Sequence, residues 1–130
     1  MHPYLWIAAG SALGGMARYW CTGMAARLFG ETFPWGTLFV NILGSFVIGF
    51  FVALTNREEG RYVVDPNIRA LVTVGICGGF TTFSAFSLQA MVLMQDGEWL
   101  SAGGYVVGSV ILCLVAVWLG HTLALQLSAL

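Results

Sequence analysis

The chain contains no lysine, and five arginines with six acids make only 8% of its 130 residues charged. A soluble domain carries about 25%. So few charges cannot solvate a globular surface, which excludes an ordinary water-soluble domain. A net charge of −1 with no basic cluster also excludes a nucleic-acid partner. No basic segment precedes the first apolar run, "MHPYLWIAAGSALGG", so that run reads as a resident span and not as a cleaved leader. Cysteine is sparse: Cys21, Cys77 and Cys113 are widely spaced in apolar stretches. An odd, scattered set argues against a disulfide framework and against zinc, and reads as small packing residues. Acids are missing from every apolar run, because Glu31, Glu58, Glu59, Asp65, Asp96 and Glu98 all fall at ends or in loops. Proton-coupled transport needs an intramembrane carboxylate or histidine. His2 is terminal and His121 lies late in the last run. No nucleophile–base pair or metal cluster is visible, which argues against an enzyme.

Apolar residues dominate what is present: 58% of the chain, with a mean hydropathy of +0.85. Charged and turn residues divide it into four blocks, at about 4–28, 35–55, 68–94 and 99–127, with the polar stretch "NREEGRYVVDPN" between the second and third. Each block reaches the roughly 20 residues that span a hydrocarbon core as a helix. Helices satisfy their backbone hydrogen bonds internally, as lipid demands. The expectation is an all-α membrane protein, one domain over 1–130 with four transmembrane helices. Four short helices enclose little space, so a polar path favours an oligomer, most simply a symmetric dimer. Gly10, Gly14, Gly15, Gly44, Gly49, Gly104, Gly108 and Gly120 are suited to close helix packing. Arg57, Arg61 and Arg69 fall towards one side and Arg27 towards the other. Arginine bias sets orientation, and a bias this modest permits insertion both ways and hence an antiparallel dimer.

A few polar residues lie inside the runs. Arg18, in "GGMARYW", reads either as an anion-attracting group near a vestibule or as a structural arginine bonded to backbone. Asn41 in "GTLFVN" has Thr37 one turn earlier on the same helix face; the two line a polar track or bind neighbouring helices together. Tyr105, Ser109 and Cys113 form one stripe of hydrogen-bond donors at i, i+4 and i+8. The segment "CGGFTTFSAFS" is the most unusual. Gly78-Gly79 can leave helical geometry, and the freed carbonyls suit a hard cation such as Na⁺, or a water. Thr81, Thr82 and Ser84 bring hydroxyls beside that break. Phe80, Phe83 and Phe86 follow at three-residue spacing, and a phenyl edge is positive enough to meet an anion. Neutral donors and aromatic edges suit a small anion without saying which.

"GGFTTFSAF", with "GTLFVN" and "GGMARYW" in a chain of this length, resembles the Fluc (CrcB-type) fluoride channels over essentially the whole sequence. The resemblance implies an antiparallel, dual-topology homodimer with two pores. Each pore would pass fluoride passively out of the bacterial cytoplasm across the inner membrane. Asn41 would be a pore-facing donor, and Phe83 and Phe86 would offer ring edges to the ion. Thr37, Thr82, Ser84, Tyr105 and Ser109 would line the pore, and Arg18 would match the first-span arginine. The carbonyls of Gly78 and Thr81 would hold a central structural sodium ion between subunits. Phe80 receives no ion contact. Ala85 stands where the family pattern has threonine, and Cys113 where a serine is expected, so two hydroxyls of the track are altered. Two other readings fit the size of the chain: a dual-topology multidrug exporter, which needs the membrane-embedded acid missing here, and a non-transporting structural subunit.

Overall fold

The computed structural model describes residues 2–56, 58 and 60–130, and every described segment is helix, turn or irregular chain, with no strand. Met1, Arg57 and Glu59 lie outside the described residues. Helix α1 runs His2–Phe29 and α2 runs Trp35–Leu54. The third apolar block is composite. It comprises α3 (Pro66–Ala70), a π-helical segment π1 (Leu71–Cys77), α4 (Gly78–Phe80) and, after a break, α5 (Phe83–Gln95). Helix α6 runs Trp99–Ser128.

Among the described residues, three stretches are long and apolar enough to cross a membrane: Trp35–Leu54, Pro66–Gln95 and Trp99–Ser128. Helix α1, with 28 residues, reaches about 42 Å at 1.5 Å per residue, which is ample length, but it is more polar than the other three. The chain is therefore an all-helical, multi-pass membrane protein. Large apolar side chains face outward along its length, among them Leu100, Tyr19, Phe83 and Trp118, as expected where the surroundings are lipid or protein.

Local chemistry sets the helix ends. Gly30, at φ 82°, stops α1, and its N–H bonds the Ala26 carbonyl at 2.9 Å. Asp65 caps α3 by accepting from the Asn67 N–H at 2.7 Å, with Pro66 in the first turn where a missing N–H costs nothing. Gly97, at φ 77°, closes α5 in a Schellman turn, with Glu98 N–H on the Leu93 carbonyl at 2.8 Å and Gly97 N–H on Met94 at 3.0 Å.

Packing follows the small residues. Helices α2 and α6 make the most extensive pairing, and α1 lies against π1. A methyl on Gly49 would strike the Val117 carbonyl, and one on Gly120 the Phe46 carbonyl. Gly10 and Gly14 press likewise on backbone of π1, and Gly44 on the Thr81 side chain. Gly15, Gly104 and Gly108 face open space within the chain, so their expected packing role is not used inside one copy. One buried cluster, Phe86, Ala90, Leu93, Ala102 and Tyr105, ties α5 to α6, with Phe33 and Leu38 against it.

Candidate functional site

The break in the third block is built two residues later than the glycines suggested. Gly78 keeps helical angles (φ −64°, ψ −36°) and begins α4 with Gly79. The chain leaves the helix at Thr81 (φ −93°, ψ 160°) and Thr82 (φ −154°, ψ 119°). The glycines serve close approach instead: a methyl on Gly79 would come within 2.7 Å of the Ser11 carbonyl of α1.

Four side chains repair the interrupted backbone. Asn41 on α2 meets Thr82 twice: its Nδ2 donates to the Thr82 carbonyl at 3.1 Å, and its Oδ1 accepts from the Thr82 N–H at 2.8 Å. Arg18 on α1 donates from Nε to the Gly79 carbonyl at 3.0 Å. The Thr82 hydroxyl accepts from the Ala85 N–H at 3.1 Å and so caps α5. The Thr81 hydroxyl donates to the Cys77 carbonyl at 2.8 Å. In a continuous helix, Thr82 N–H would bond the Gly78 carbonyl and Ala85 N–H the Thr81 carbonyl. Both donors are diverted to side chains, leaving the Gly78 and Thr81 oxygens without their helical partners. Gly78 and Thr81 line one cavity, and a methyl on Gly78 would meet nothing nearer than 3.9 Å.

That central cavity, about 380 Å³, is also lined by Asn41, Phe83, Phe86 and Ser109. Its walls are mostly apolar, with hydroxyl, amide and carbonyl groups at intervals. Phe83 is 77% exposed and Phe86 only 7%, their rings 5.4 Å apart and tilted by 48°. Phe86 leans on Tyr105 at 5.0 Å, and Phe33 meets Tyr105 edge-on at 5.4 Å. Ser109 is 6% exposed, and its hydroxyl has no hydrogen-bond partner among the described residues. Ser84 is exposed, its hydroxyl 3.3 Å from that of Thr82.

Thr37 does not share this cavity with Asn41. It lines a second, of about 800 Å³, at the end of the molecule where Phe33, Gln89, Glu31, Asp96 and Glu98 gather. Tyr105 is buried between the two, lining neither, and its hydroxyl donates to Gln89 Oε1 at 2.8 Å. The expected fourth-span stripe is thus divided: Ser109 and Cys113 face the central cavity, and Tyr105 reaches the end cavity through Gln89. Sequence reading missed Gln89. Its only signal was an amide three residues beyond Phe86 within an apolar helix.

At the opposite end, arginines act as clamps. Arg69 Nη1 donates to the Thr55 hydroxyl at 2.8 Å, joining α3 to the end of α2. Arg61 Nη1 donates to the Leu127 carbonyl at 3.2 Å. Among the described residues, no three of His, Cys, Asp and Glu come together as a metal site. A hard cation would have to use carbonyl oxygens, and the two freed at the break are of the right chemistry.

Comparison with known proteins agrees with the residue pattern. The family described as "CrcB-like protein, Camphor Resistance (CrcB)" matches residues 5–121. A relative from Opitutus terrae is 57% identical over 130 residues, covering 100% of this chain and 98% of its own length. One from Methylocella silvestris is 56% identical over 125 residues, covering 96% and 95%. A third, from Paramagnetospirillum magneticum, is 55% identical over 124 residues, covering 95% and 96%. All three are named "Fluoride-specific ion channel FluC". The chain belongs to the CrcB-like family.

Proposed function

We propose that this protein is a fluoride-selective channel and not an enzyme, passing fluoride down its gradient out of a bacterial cytoplasm through the inner membrane. The observation that carries the reading is the braced break at Thr81–Thr82. It sets an amide, two hydroxyls, freed carbonyls and two phenyl rings around one cavity in a chain whose relatives are named fluoride channels. Fluoride is small and strongly hydrated, so a path must replace water with N–H and O–H donors and positive ring edges. Asn41 spends one N–H and its oxygen on Thr82 and keeps a second N–H. Ser109 keeps its hydroxyl proton for an ion. Phe83 and Phe86 offer edges. Thr82 and Ser84 carry hydroxyls at the break, and Thr37 and Tyr105 extend the polar line towards the end cavity. Arg18 holds the Gly79 carbonyl through Nε and so braces the break that shapes the path. Chloride gains less from such contacts and needs a wider bore.

The working unit in this reading is an antiparallel homodimer with two pores, α1 serving as a fourth span in each subunit. Support comes from Phe83, a large ring 77% exposed on the wall of the central cavity, and from the weak arginine bias. The carbonyls of Gly78 and Thr81 would hold a structural sodium ion between subunits, where it would supply fixed positive charge near the path.

The experiment is anion efflux from liposomes holding purified protein and loaded with potassium fluoride or potassium chloride, with valinomycin carrying the countercharge. Fluoride release without chloride release is the expected result. Equal release of both would remove selectivity, and no release from folded protein would remove the channel.

A further inference from the structure

The end cavity and the central cavity are separate: among the described residues, none lines both. Three rings stand in sequence between them. Phe33 is on the wall of the end cavity, Tyr105 lines neither, and Phe86 is on the wall of the central one. Phe33 and Tyr105 have centroids 5.4 Å apart, and Tyr105 and Phe86 5.0 Å. At these separations rings touch, and no water fits between them. Tyr105 is accordingly only 1% exposed. Phe33 is fixed in this row by its own turn. Pro34, at φ −79° and ψ 63°, makes an inverse γ-turn, closed by the Trp35 N–H on the Phe33 carbonyl at 2.8 Å. The Phe33 ring is half-buried, packed against the cluster that ties α5 to α6 and 4.7 Å from the ring of Trp35. It is the one ring of the three that comes from a connection between helices.

We propose that Phe33 is a specificity-determining residue: its ring is the outer wall of a dry aromatic neck that admits fluoride and keeps chloride out. The inference rests on the channel reading and deepens it. An ion moving between the two cavities must displace packed rings. A close-packed interior yields to small displacements far more readily than to large ones, so the smaller halide passes and the larger does not. The neck is also dry, so an ion must shed its water there and accept donors and ring edges in exchange. Removing the Phe33 ring takes away the wall on the side of the end cavity. Water from that cavity then reaches Tyr105, and the step that separates the two halides is lost.

Two measurements on the full-length protein test this. The first is the ratio of chloride to fluoride efflux from liposomes, with valinomycin present. In Phe33→Ala that ratio should rise by about tenfold or more, the usual scale for a changed pocket contact, while fluoride release persists. In Phe33→Tyr, which keeps the ring, it should stay at the parental level. A loss of packing alone would lower both fluxes and leave the ratio unmoved. The second is the fluorine resonance of Tyr105 in protein labelled with 3-fluorotyrosine, assigned by its loss in Tyr105→Phe. It should show no shift between water and heavy water in the parent and in Phe33→Tyr, and should acquire one in Phe33→Ala. Size-exclusion elution verifies folding, and Phe33→Leu, a milder removal of the ring, replaces Phe33→Ala in both measurements if the latter does not fold. A ratio unchanged in the folded variant without the ring overturns the specificity role. A Tyr105 resonance already sensitive to heavy water in the parent overturns the dry neck. If the parent passes no fluoride, the channel reading fails and takes the specificity role with it, while the isotope shift still decides whether Phe33 seals Tyr105 from the end cavity.

Discussion

In the proposed channel Asn41 would have two tasks, bracing Thr82 and lining the anion path, that substitutions separate. Asn41→Ala leaves both the N–H and the carbonyl of Thr82 without partners. Each buried unsatisfied group costs about 1–3 kcal/mol, so the melting temperature of the purified protein should fall clearly. Asn41→Asp keeps the acceptor for Thr82 N–H but loses the donor and puts a negative charge beside an anion path. Fluoride efflux should then drop more than stability does, and an Asn41→Asp channel faster than the parent would contradict an anion pore. Phe83 is the opposite case. Its ring is exposed and supports little of the fold, so Phe83→Ile should leave folding intact and cut fluoride efflux sharply. Unchanged efflux would remove the ring-edge role.

Among elements, α5 depends on its cap and the α2–α6 pair on its glycines. Thr82→Val removes the hydroxyl that accepts from Ala85 N–H, a loss of about 1 kcal/mol for such caps, whereas Thr82→Ser keeps it. Denaturant titration of the two variants should separate them by that amount. Gly120→Ala drives a methyl into the Phe46 carbonyl, and overpacking of this kind costs about 1–3 kcal/mol. Gly108→Ala meets open space within the chain and should leave intrachain stability near that of the parent. A thermal melt that ranks Gly108→Ala below Gly120→Ala would show that Gly108 packs against something outside this chain.

At the scale of the whole molecule, the proposed dimer would cover the exposed Phe83 ring with a second copy. A head-to-tail tandem of two chains, joined by a linker helix that crosses the membrane so that the halves insert in opposite directions, should conduct fluoride. A tandem that forces parallel insertion should not. Replacing sodium in all buffers with a large organic cation should weaken dimer association, read by cross-linking yield, if the Gly78 and Thr81 carbonyls hold the ion. Unaltered association would argue against sodium at the break.

Helix class, membrane setting and family were legible in the sequence, because lipid forces apolar runs into helices and because "GGFTTFSAF" is a specific pattern. The break was legible in kind but misplaced: glycine permits a bend without requiring it, and here Gly78 and Gly79 stay helical, Gly79 for close packing on α1. What decides the break is Thr82, whose N–H and carbonyl find Asn41 across 41 positions, and the Gly79 carbonyl, which finds Arg18 across 61. Periodicity describes one helix face and says nothing of which distant side chain completes another helix's backbone. For the same reason Thr37 and Asn41, one turn apart, open on different cavities, and Gln89 gained its meaning only when Tyr105 was placed against it. Sequence by itself determined what each segment must become in lipid. Only the tertiary arrangement decided which backbone groups lost their helical partners, because that depends on long-range hydrogen bonds competing with local ones.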